Sequence, residues 1–171
     1  MKYLALDELW WLVSPQNPLK TSDGMAAFTE RMASAKAMAR HPRIRVSDLE
    51  AKLGTRYTAD TLETLTRRFP KTHFVWIMGA DNLRQISRWK NWTSIFRSVP
   101  VAVFDRAPYA WGALASHAAQ RFRRYRRRTS SAANLAVTNP PAWMFFHTQL
   151  HPASATAIRA GRRTTRMRPK S

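Results

Sequence analysis

Gly79 and Asp81 stand two residues apart, directly after the apolar run of residues 74–78. That run is long enough for one buried strand and too short for a helix. A strand that ends in Gly-x-Asp and continues into helical sequence can seat a nucleotide. The glycine admits a ligand to the backbone, and the carboxylate accepts hydrogen bonds from ribose hydroxyls. The same residues also make ordinary turns, so other segments have to join them. Tyr57 and Thr58 fall at a loop-to-helix junction, where free backbone N–H groups can hold an anion. Lys20 closes the loop of residues 14–20, which carries two prolines; it can reach a phosphate or simply face solvent. Ser154, Thr156 and Arg159 gather hydroxyls, free N–H groups and a guanidinium at the predicted start of a short helix. That group suits either a phosphate cradle or a plain cap ahead of a basic tail.

The elements that must position these residues alternate along the chain. Strands are expected over residues 8–13, 43–47, 74–78, 99–104 and 143–147, the first and third of them buried. A helix is expected over about residues 25–40, with Met25, Phe28, Met32 and Ala35 as its core stripe. A second is expected to start at Thr58 as N-cap, with Leu62, Leu65 and Phe69 on one face and Pro70 as the stop. A long helical pattern runs from about Tyr109 into the arginines of residues 121–128, and residues 130–141 read as a loop. His147 and His151 are four apart, but Pro152 and the strand context exclude a helical metal pair, so neither is assigned a ligand role. The alternation predicts an α/β domain with a mostly parallel sheet. Ligands of such sheets bind outside the carboxyl ends of the strands. Four segments fall at those places: residues 14–20, 56–61, 79–92 and 153–159. Their coincidence points to a phosphorylated, nucleotide-like ligand.

The chain has 171 residues, 44% of them hydrophobic, and no cysteine. This predicts one globular domain without disulfide or thiolate chemistry. No stretch approaches the length of a membrane span, and Asp7 and Glu8 interrupt the apolar N-terminus, so a soluble cytoplasmic protein is expected. The formal net charge is +19, and no Asp or Glu follows Asp105. Such a field attracts polyanions or phosphorylated small molecules, or is a solvated arginine face with a loose tail. A basic module that binds nucleic acid or acidic lipid without catalysis is therefore the alternative function. No nucleic-acid fold signature is present, so no specific nucleic-acid partner is expected.

In order and spacing, LDELWWLVSPQNPLK, RYTADTL, FVWIMGADNL with RWKNW, VAVFDRAPY and SATAIR resemble the bacterial nicotinate-nucleotide adenylyltransferases of the nucleotidyltransferase superfamily. The resemblance runs from Leu6 to Arg159. It implies a Rossmann-like, mostly parallel sheet with helices on both faces, over residues 1–160, and a flexible basic tail over 161–171. It also implies adenylyl transfer from ATP, with Mg2+, to nicotinate mononucleotide, giving nicotinate adenine dinucleotide and pyrophosphate. Carried over by motif, Gly79 and Asp81 face the adenosine, and Ser154, Thr156 and Arg159 hold ATP phosphates. Tyr57, Thr58 and Trp89 form the nicotinate pocket, with Trp89 stacking on the pyridine ring. Asn17 and Lys20 lie near the mononucleotide, and Arg106 is a further phosphate candidate. Family members open with a strand and a Gly-x-Phe-Asn-Pro-x-His-x-Gly-His loop. No His-x-Gly-His occurs in this sequence. The resemblance thus leaves the catalytic residues unknown, the first strand missing and the chain N-terminally truncated, with little or no activity expected.

Overall fold

The computed structural model describes residues 3–15, 26–105 and 110–147. Five strands form two parallel sheets. β1 (Leu9–Leu12) pairs with β2 (Ile44–Ser47), and β3 (Trp76–Gly79), β4 (Val101–Phe104) and β5 (Trp143–Phe146) pair in that order. The parallel sheet expected from sequence is thus divided between β1 and β3. Edge-on aromatic contacts bridge the division at one end, with the Trp10 ring 5.5 Å from Phe69 and 5.7 Å from Phe74.

Alternation along β4 and β5 sorts side chains onto two faces, as strand geometry requires. Val101, Val103, Trp143 and Phe145 join one core cluster, with Leu62, Leu83, Ile95 and Phe96. These last four come from α3 (Thr58–Arg68), α4 (Ala80–Gln85) and α5 (Trp92–Ser98). Ala102, Met144 and Phe146 face the other way and pack with Leu4, Ala132 and Leu135. That second face is covered by the N-terminal turn and a 3₁₀ segment over Thr129–Val137, where the sequence suggested only a loop. Burial of apolar side chains on both faces is what lets the β4 and β5 sequences run apolar without a break.

Several elements depart from expectation. β1 is half-buried, with Trp11 37% exposed, because β1 lies at a division of the sheet and not in its middle. α1 spans Phe28–Met38; Ala35 is buried and Phe28 and Met32 half-buried, while Met25 lies outside the described residues. The long helix expected after Tyr109 is two short ones, α6 (Ala110–Leu114) and α7 (His117–Arg121). Ser116 breaks it, since its hydroxyl accepts from the Ala119 N–H at 3.3 Å and caps α7. Among the described residues, no helix is long and apolar enough to cross a membrane.

A helix not foreseen from sequence, α2 (Leu49–Leu53), ends in Gly54 at φ 64°, the left-handed conformation that favours glycine. Burial raises the Glu50 carboxyl on α2 above its ordinary 4.5, opposed by a hydrogen bond from Ser14. The folded state therefore holds this proton more tightly than the unfolded one. Its contribution to stability is fully present below about pH 4.5 and is lost as the pH rises through the raised folded value. Glu50→Gln is expected to stabilise the protein at pH 7 and to flatten this stretch of the stability–pH profile. Urea unfolding of both proteins across pH 4–8 checks it; parallel profiles would refute the assignment.

Candidate active site

Asp81, Asp105 and His147 follow the carboxyl ends of β3, β4 and β5, so the register aligns them along one edge of the sheet. Asp81 lies in the first turn of α4, which starts directly from β3. Its Oδ1 is buried and meets no hydrogen-bond donor among the described residues. A desolvated carboxylate oxygen without a donor is costly, and a ligand hydroxyl would relieve it. Gly79 has φ −80° and ψ 160°, which any residue adopts. Its glycine is thus not demanded by backbone conformation.

Asp105 and His147 were not legible as a pair in the sequence. Phe104 pairs with Phe146, the Asp105 N–H donates to the Phe146 carbonyl at 2.9 Å, and His147 Nδ1 lies 3.4 Å from Asp105 Oδ2. In the structure each is the first residue beyond its strand, whereas the sequence placed His147 inside the last one.

The other cluster forms where α3 starts. α3 leads through a short connection to the amino end of β3, so its own start points toward the carboxyl edge. Tyr57 takes the cap position in extended conformation, and Thr58 is the first helical residue; Thr58 is therefore not the cap. The first intrahelical acceptor is the Tyr57 carbonyl, reached by the Thr61 N–H at 3.0 Å. The N–H groups of Thr58, Ala59 and Asp60 have no partner within the helix, though the Asp60 carboxylate in the same turn opposes an anion there.

Lys90 Nζ stands 4.6 Å from the centroid of the Tyr57 ring, which brings the segment carrying Trp89 against this helix start. A 3₁₀ turn over Ile86–Arg88, extended Trp89 and left-handed Asn91 (φ 51°) shape that segment. Trp92 anchors it by packing on Phe96, His117 and Phe122. Trp89 is half-buried, and its Nε1 is buried without a partner among the described residues.

Arg31 donates to the carbonyls of Ser14 and Pro15, both at 2.6 Å, fixing the chain beyond β1. Asn17 and Lys20 come just after, outside the described residues, as do Arg106, Ser154, Thr156 and Arg159. The structure thus brings Gly79 and Asp81 to one strand end, and sets Lys90, the neighbour of Trp89, on Tyr57 at the helix start that also carries Thr58.

A cytidylyltransferase-like family model matches residues 1–161. A Parvibaculum lavamentivorans protein named as a probable nicotinate-nucleotide adenylyltransferase is 51% identical over 159 residues, covering 93% of this chain and 79% of the relative. The chain belongs to the nicotinate-nucleotide adenylyltransferase family. A Bradyrhizobium protein with the same name is 47% identical over 93% of this chain and 83% of its own length. Plasmodium falciparum nicotinic acid mononucleotide adenylyltransferase, solved with NaAD and with APC, is similar in fold. The TM-scores are 0.57 and 0.55, at 15% and 14% identity. The match covers 88% of this chain, which spans 63% of the length of each of those structures. The family fold is the Rossmann-like α/β arrangement expected from sequence.

Proposed function

We propose that the function of this protein is adenylyl transfer from ATP to nicotinate mononucleotide in the cytoplasm, releasing pyrophosphate as a step of NAD biosynthesis, and that the chain, in which no His-x-Gly-His occurs, binds both nucleotides but turns them over weakly. The observation that carries this is the 51% identity over 93% of the chain to a relative of that name. In the reaction, a phosphate oxygen of the mononucleotide attacks the α-phosphorus of ATP. The bond from that phosphorus to the bridging oxygen breaks, and pyrophosphate leaves with the electron pair. No proton-transfer step is intrinsic to this exchange, so positioning and charge stabilisation supply the catalysis.

Asp81, with its unpartnered Oδ1, is assigned the ribose hydroxyls of ATP, beside Gly79. Ser154, Thr156 and Arg159 are assigned the ATP phosphates. Magnesium enters with ATP as part of the substrate, held chiefly by phosphate oxygens. Tyr57, Thr58 and Trp89 are assigned the nicotinate: the ring stacks on Trp89 and the free N–H groups at the start of α3 take the carboxylate. Asn17, Lys20 and Arg106 are assigned to the mononucleotide side.

The test is calorimetric titration with Mg-ATP and with nicotinate mononucleotide, followed by assay of pyrophosphate on mixing both. Binding of each nucleotide supports the site assignment, and pyrophosphate formed with the dinucleotide supports the reaction. A chain that is folded and binds neither would overturn the proposal. Trp89→Ala is expected to weaken nicotinate mononucleotide binding about tenfold, within the range of aromatic stacking on a base, and to leave ATP binding unchanged. Equal losses for both nucleotides would count against a nicotinate pocket at Trp89.

A further inference from the structure

Arg97, Arg121, Arg123 and Arg124 converge with Tyr125 on an open cavity of about 420 Å³. This cavity lies at the end of the sheet remote from Asp81. Pro141, which also lines it, precedes β5, and Arg97 is in the last turn of α5, which leads to the amino end of β4. The strands separating the two ends have four residues each, or about 13 Å.

The arginine segment is held in place. Trp143 Nε1 donates to the Phe122 carbonyl at 2.8 Å, the Arg127 N–H donates to the Trp143 carbonyl at 2.8 Å, and the Arg126 guanidinium lies 5.5 Å from the Trp143 ring centroid. Among the described residues, none of the four cavity arginines has a carboxylate within 4 Å. Crowded like charges on an ordered surface repel one another, and a polyanion relieves them. Exposed Arg126, Arg127 and Arg128 continue the basic surface beyond the cavity, further than the phosphates of one nucleotide need. Tyr125, 41% exposed, offers a ring beside the guanidinia. It is the sole exposed large hydrophobic residue lining the cavity among those described. The apolar face that inserts into a lipid surface is therefore lacking there.

We propose that this cavity binds single-stranded nucleic acid without sequence preference, the arginines contacting successive phosphodiesters and Tyr125 stacking on a base. The site is separate from the nucleotide site and independent of the adenylyl-transfer reaction.

Fluorescence anisotropy of a labelled oligouridylate with the full chain tests it. Four phosphate contacts predict a log–log salt slope of about −3, an affinity loss of roughly 50-fold between 50 and 200 mM salt. Arg123→Ala with Arg124→Ala is expected to halve that slope, whereas Arg123→Lys with Arg124→Lys keeps it. Tyr125→Ala weakens binding about tenfold at unchanged slope. All these side chains are exposed, so the variants should match the parent in circular dichroism and Tm. Four results would each overturn the proposal: no binding at low salt; cavity variants that bind like the parent; inorganic tripolyphosphate bound as tightly as the oligonucleotide, which marks a small-anion site; or phosphatidylserine vesicles preferred to the oligonucleotide.

Discussion

Trp143→Ala is expected to lower the free energy of unfolding by about 3–5 kcal/mol, the range for truncating a buried tryptophan. The indole is 1% exposed and lies in the cluster that holds Phe96, Phe122 and Phe145 on the helical face of the sheet. Phe96 and Phe122 stack there with ring centroids 4.4 Å apart. Truncation opens a cavity against rigid neighbours and also removes the Trp143 Nε1 hydrogen bond to the Phe122 carbonyl, which keeps its bond from the Tyr125 N–H at 3.0 Å. Trp143→Phe separates the two contributions, since it keeps most of the volume and removes the donor. Losing that one hydrogen bond costs about 0.5–1.5 kcal/mol. Urea unfolding of the three proteins gives both numbers. A loss for Trp143→Ala no larger than that for Trp143→Phe would mean that the hydrogen bond, and not packing, carries the effect.

The sequence was most informative where one strand or helix decides the outcome locally. The apolar runs that became β3, β4 and β5 were visible, as was the start of α3 at Thr58. So was the strand-to-helix junction at Gly79 and Asp81. Their ends were less accurate: β4 starts at Val101 and not at Val99, because Pro100 at its entry has no N–H to give to the ladder. Two kinds of feature were not legible. The first is competition between short-range hydrogen bonds and helix continuation, as at Ser116, where a single hydroxyl splits an apolar pattern that reads as one long helix. The second is juxtaposition through register. Asp105 and His147 are far apart in sequence, and the β4–β5 pairing alone sets them 3.4 Å apart. Lys90 over Tyr57 is a similar case, since the charged neighbour is supplied by a turn that follows two further elements. The arginine run was visible as charge, but only the fold shows four of its neighbourhood lining one cavity.

Asp81→Ala should weaken ATP binding by about a hundredfold, close to 3 kcal/mol, if the carboxylate accepts two hydrogen bonds from the ribose. Asp81→Asn keeps an acceptor oxygen but not the charge, and should fall between, at about tenfold. A purely structural role for Asp81 predicts that both variants lose stability. The geometry predicts otherwise. Asp81 Oδ1 is buried without a donor among the described residues, so the folded protein carries a desolvation cost that ligand binding is proposed to recover. Removing the carboxylate should therefore leave the unliganded protein as stable as the parent, or slightly more so, while the stabilisation that saturating Mg-ATP gives to the parent disappears. Thermal unfolding with and without Mg-ATP measures both quantities in one experiment. Variants that are unfolded, or destabilised without ligand, would move Asp81 from the binding site into the supporting structure. Variants of unchanged stability that still gain the parent's full ligand-induced shift would remove it from the ATP site altogether.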